Sequence, residues 1–140
     1  MTPAEIALVQ SSFEKVLPIA PQAAALFYAR LFERAPEVRA LFKGDMEEQG
    51  RKLMATLAAV VQSLDRLQEI LPVAKNLALR HVTYGVRPEH YAPVGAALLW
   101  TLEQGLGAAF TPDVAAAWRA AYGTLSAAMI QAAYPAVAVP

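Results

Sequence analysis

A chain of 140 residues fits one domain around one core, and a 56% share of hydrophobic residues, much of it alanine, supplies the apolar surface. Twelve basic and twelve acidic residues cancel to a net charge of zero, which argues against nucleic acid, because phosphate binding needs a basic surplus. The absence of cysteine excludes disulfides, cysteine-ligated zinc, iron–sulfur clusters and thiol catalysis.

Helical periodicity dominates, and no segment alternates with the period of a strand. Thr2-Pro3-Ala4-Glu5 predicts a capped helix start, with Ile6, Val9, Phe13, Val16 and Leu17 facing inward. A second helix is predicted from Pro21 to about Arg34, with Ala24, Phe27, Tyr28, Leu31 and Phe32 inside, and Pro36 restarts a short helical turn. After the corner KGDMEEQG comes an amphipathic helix striped by Leu53, Leu57, Val60, Val61 and Leu64. The next helix is expected to break near Pro72 and to stop at Tyr84-Gly85. Arg87-Pro88-Glu89 opens another, and Thr111-Pro112-Asp113 caps the last, striped by Val114, Trp118, Tyr122, Leu125 and Met129. The expectation is an all-α domain over residues 1–134 with about seven helices, followed by a tail over 135–140. The start lacks the layout of a signal peptide, and no apolar run reaches membrane-spanning length, so a cytoplasmic protein without a membrane partner is expected.

Three inward stripes carry a polar residue. Tyr28 shares a face with Ala24, Leu31 and Phe32; Gln49 begins the stripe Gln49–Leu53–Leu57; His81 continues the stripe through Ala74 and Leu77. Buried polar groups need partners, and three on separate helices invite a shared one. Periodicity equally admits a helical core holding three hydrogen-bonded polar groups. His81 and His90 are the only histidines, too few for a multi-histidine zinc site, and the paired Glu-x-x-His of a di-iron bundle is missing. His90, beyond the Gly85–Pro88 bend and beside Glu89, reads as solvated. No serine sits in a strained elbow, and no glycine-rich loop could cradle phosphate. One histidine facing an apolar helical pocket suits haem iron held by a single imidazole best.

In combination, four segments resemble the globin family, specifically single-domain bacterial haemoglobins and the haem domain of flavohaemoglobins. LFYARLFERAPEVRALF resembles the stretch with a distal tyrosine (Tyr28), a proline opening a short helix (Pro36) and a phenylalanine against the haem (Phe42). QGRKLMATLAAVV resembles the distal helix, with Gln49 facing the ligand and Leu53 one turn on. LRHVTYGVRPEHY resembles the proximal segment, with His81 as iron ligand and Tyr91 as the proximal tyrosine, and AAWRAAYGTLSAAM resembles the last helix. The resemblance implies a globin fold around haem b (iron protoporphyrin IX), with His81 as the metal ligand and Phe42, Leu53, Leu57, Leu77 and Tyr91 in the haem site.

Two departures stand out. The last-helix position that carries a carboxylate in flavohaemoglobins is Ala133 here, which implies weaker peroxidase-like activation. The sequence also carries no flavin- or nicotinamide-binding segment, so turnover would draw on an external reductase. With Tyr28 and Gln49 as catalytic donors, the resemblance implies binding of O2, NO or CO. Two charge-assisted bonds of about 1.5–3 kcal/mol each would slow O2 release by roughly two to four orders of magnitude. Oxidation of nitric oxide to nitrate is the first functional expectation. Non-enzymatic O2 or small-ligand binding, storage or sensing is the alternative.

Overall fold

The computed structural model describes residues 1–134 and is all-α, with no strand among them. The proposed tail, 135–140, lies outside the described residues. Six α-helices run in order: α1 (Pro3–Val16), α2 (Ala20–Arg34), α3 (Met46–Gln62), α4 (Leu67–Thr83), α5 (Tyr91–Leu106) and α6 (Pro112–Ala133). The count falls one short of the sequence estimate because the proline-initiated segment Pro36–Leu41 is a 3-10 turn. No helix of the described residues is long and apolar enough to cross a membrane.

The helix starts follow the predicted chemistry. The Thr2 N–H donates to Glu5 Oε1 at 2.9 Å and the Glu5 N–H to Thr2 Oγ1 at 3.1 Å, a reciprocal capping box. Thr111 caps α6 by accepting from the Val114 N–H at 3.2 Å. Two local expectations change. Leu17 is 40% exposed, because a 3-10 turn over Leu17–Ile19 rotates it out of the α1 stripe. Pro72 lies inside an unbroken α4. It removes one bond close to the helix start, while Ile70 and Ala74 stay buried on the helix's inner face.

Packing pairs α1 with α6, α2 with both α3 and α5, and α4 with α6. The α1–α6 seam contains a buried polar relay: Trp118 Nε1 donates to Ser12 Oγ at 2.8 Å, and Ser12 Oγ donates to the Leu8 carbonyl at 2.7 Å. This satisfies the indole N–H inside an otherwise apolar contact with Phe13. At the α2–α3 crossing a Cβ on Gly50 would sit 2.9 Å from the Ala24 Cβ, so the missing side chain lets the two backbones approach. By contrast, α3 and α4 are linked through the Leu64–Arg66 turn but do not pack extensively on one another.

Candidate functional site

The wall formed by α2 and α3 is aromatic. Tyr28 is 7% exposed and sits among Phe27, Phe32 and Phe42, with ring centroids 5.0, 5.8 and 5.3 Å away. Burial pushes its phenol up to about 12, and the Gln49 side chain lies close enough to the hydroxyl to offset part of that shift. The structure therefore brings the tyrosine and the glutamine together, with the phenol a neutral donor across the physiological range. Phe42, Leu53 and Leu57 are half-buried and rest on the core. Arg39 steadies the Phe42 end, donating to the Phe42 carbonyl at 3.1 Å with its guanidinium 5.2 Å from the Phe32 ring centroid.

The histidine is carried by the C-terminal half of α4. Val73, Leu77, His81 and Tyr84 follow one another at helical spacing along one flank. Val73 is 57% and Tyr84 60% exposed, whereas Leu77 and His81 are half-buried. The neighbouring stripe, with Ile70, Ala74 and Ala78, is buried. His81 Nδ1 lies 2.7 Å from the Leu77 carbonyl oxygen. A carbonyl only accepts, so the neutral ring carries its hydrogen on Nδ1 and leaves the Nε2 lone pair free.

The turn after α4 is tightly held. The Val86 N–H donates to the His81 carbonyl at 3.0 Å, and Gly85 adopts φ +95°, a conformation costly for any side chain. Tyr134 donates its hydroxyl hydrogen to the Val86 carbonyl. Tyr122 donates to the Tyr91 carbonyl at 2.6 Å, its ring filling the space that a Cβ on Gly95 would take. Tyr91 is 8% exposed and its hydroxyl has no hydrogen-bond partner; burial and the neighbouring Tyr134 both raise its pKa. Tyr91 makes no hydrogen bond to His81. His90 is half-buried rather than fully solvated, its Nδ1 accepting from the Arg87 N–H at 3.0 Å.

Tyr134 and Tyr122 were missed as polar anchors. By the sequence reading, Tyr134 is the last residue of the domain and Tyr122 belongs to an apolar stripe. A void of about 210 Å³ is bounded by Ile6 of α1, Val60 of α3, Ile70 of α4 and Leu125 of α6, and none of the site residues lines it. Among the described residues, no three His, Asp or Glu side chains come together to cage a metal. One imidazole with a free Nε2, on a helix flank it shares with Val73 and Leu77, instead fits an apolar group carrying its own metal.

A family model described as Globin matches residues 25–129. The chain is 40% identical over 107 residues to a flavohemoprotein of Bordetella parapertussis, covering 74% of this chain and 27% of that one. It is 36% identical to the Bacillus subtilis flavohemoprotein over 107 residues, with the same two shares. With the flavohemoprotein of Vibrio cholerae it shares 31% identity over 133 residues, 93% of this chain and 34% of that one. The chain thus spans about a quarter to a third of the length of these curated relatives. Among solved structures, it is similar to an engineered carbene transferase built on a candidate nitric oxide dioxygenase from Rhodothermus marinus. The TM-score is 0.81 at 29% identity, covering 91% of this chain and 89% of that one.

Proposed function

Because the chain belongs to the globin family, we propose that haem b is held between α3 and α4 through His81 and binds small ligands such as O2, NO and CO. The observation that carries this reading is the His81 ring, tethered through Nδ1 to the Leu77 carbonyl, with Nε2 free beside the apolar flank of Val73, Leu77 and Tyr84. Phe42, Leu53, Leu57 and Leu77 would supply apolar contact to the macrocycle. Tyr91 would close the proximal side.

The haem iron supplies the reversible bond to a diatomic ligand. The chain supplies everything that discriminates between ligands. Tyr28 holds a neutral hydroxyl hydrogen, and Gln49 offers amide hydrogens from the adjacent helix. Ligands that acquire negative charge gain from both donors, whereas carbon monoxide gains less. The aromatic packing around Tyr28 keeps that hydroxyl in place and excludes water from its surroundings. High O2 affinity with slow release follows.

The activity proposed for the site is oxidation of nitric oxide, in which nitric oxide, O2 and one electron give nitrate. An external reductase would deliver the electron. The names of the similar proteins, flavohemoproteins and a candidate nitric oxide dioxygenase, support this choice. Ala133 favours the second reading, a non-enzymatic globin that binds, stores or senses O2, because no last-helix carboxylate is available to make the proximal imidazole more basic. The experiment that separates the two mixes nitric oxide with the O2-loaded protein in the presence of a reductase and follows nitrate over many equivalents. Sustained turnover supports the enzyme. One equivalent of nitrate without re-reduction at a useful rate leaves the binding protein.

A further inference from the structure

We infer that Tyr134 is a positioning residue for the proximal side: it straps the turn following His81 to the end of α6 and thereby fixes the pose of the imidazole. This rests on the reading that His81 ligates the iron.

The end of α4 needs such a strap. Val82 and Tyr84 are exposed, and the chain reverses at Gly85 through a left-handed conformation. Val86 is where two hydrogen bonds meet. Its N–H reaches back to the His81 carbonyl at 3.0 Å, and its own carbonyl receives the Tyr134 hydroxyl, from 48 residues further along the chain. The hydroxyl of Tyr134 is therefore two hydrogen bonds from the backbone of His81. Among the described residues, no other hydrogen bond runs from α6 to this turn. The phenol's role is separable from the capping of α6, because the Tyr134 backbone N–H makes the capping bond to the Ile130 carbonyl and any residue could supply it.

The chemistry of the strap differs from a charged one. The only acid of α6 is Asp113, in its first turn, and position 133 is alanine. The acceptor on His81 Nδ1 is a neutral carbonyl, and Tyr134 touches the backbone rather than the ring. The pose of the ring is thus held without adding negative charge to the imidazole.

The test compares the haem-loaded full chain with Tyr134→Phe, which removes only the hydroxyl, and with Ser126→Ala, a control that removes another α6 hydroxyl. The readouts are the iron–imidazole stretching band of the ferrous protein and the rate of haem transfer to an excess of an apoprotein scavenger. Tyr134→Phe should shift or broaden the band and release haem about two- to tenfold faster, the worth of one net hydrogen bond. Ser126→Ala should change neither. A parental band and parental release rate in Tyr134→Phe overturn the strap, as does an equal change in Ser126→Ala. The His81→Gly variant separates the two levels. If it keeps the parental band, the ligand assignment fails and the strap with it. If it loses the band while Tyr134→Phe stays parental, the strap alone fails.

Discussion

Replacing Tyr28 by phenylalanine removes one hydroxyl from the wall built by α2 and α3 and leaves the ring. The contacts to Phe27, Phe32 and Phe42, at 5.0, 5.8 and 5.3 Å between centroids, can all be kept by a phenyl group. The buried hydroxyl, with its pKa pushed up to about 12, is a neutral donor. What is lost is then one hydrogen bond to a ligand bearing partial negative charge, about 1.5–3 kcal/mol. At about 1.4 kcal/mol per factor of ten, O2 should dissociate roughly 10- to 150-fold faster. Carbon monoxide, with less charge on its outer atom, should change by less than about threefold on the same reasoning. Stopped-flow displacement of O2 by excess carbon monoxide, and of carbon monoxide by nitric oxide, measures the two rates. An unaltered O2 rate would refute the reasoning and assign the distal bond to Gln49 or to water. Equal acceleration of both ligands would refute it differently, pointing to a steric rather than an electrostatic role.

Three further outcomes follow from the packing and the buried phenols. Ser12→Ala leaves the buried Trp118 N–H without its acceptor at 2.8 Å and should cost about 1–3 kcal/mol. A drop of several degrees in the thermal midpoint by circular dichroism checks it, and an unchanged midpoint would contradict it. Gly50→Ala places a Cβ 2.9 Å from that of Ala24 and should spread α2 from α3, drawing Gln49 away from Tyr28. O2 release should accelerate by more than carbon monoxide release, and equal rates in mutant and parent would count against the close-approach explanation. Lastly, Tyr28, Tyr91, Tyr122 and Tyr134 all have pKa values raised by burial above the usual 10.0. An unfolded chain ionises these phenols first, so their contribution to stability is fully present below pH 10 and lost as pH rises through the folded values. Denaturant melts between pH 8 and pH 12 should show stability flat and then falling, and the fall should shrink in Tyr122→Phe.

The legible parts of the molecule were those governed by local rules. Thr2 and Glu5 announced their own helix start, and the spacing Leu77–His81 placed the histidine one turn beyond the carbonyl it now touches. Tyr28 and Gln49 lay on stripes whose apolar partners could be counted. Leu17 was misplaced because Pro18 tightens the backbone to 3-10 geometry, turning each residue further around the axis than an α-helix does. The anchors of the proximal side were illegible for another reason. Tyr134 contacts Val86 and Tyr122 contacts Tyr91 across 48 and 31 residues, and long-range pairings leave no period in a single sequence. Gly50 and Gly95 were equally silent. In helices rich in alanine, a glycine at a close crossing breaks no pattern, and only the neighbouring Cβ or ring shows why nothing larger fits.

On the proposed reading, His81 holds haem between α3 and α4. Its most direct test is a titration of haem b into the full chain and into His81→Ala, followed by visible spectra after gel filtration. The parent should hold one haem per chain tightly, with a sharp Soret band in the ferric, ferrous and carbon monoxide forms. The variant should lose stable haem, because His90, the only other histidine, accepts from the Arg87 backbone at the start of the next segment. A His81→Ala protein that retains haem with the parental spectra would contradict the account.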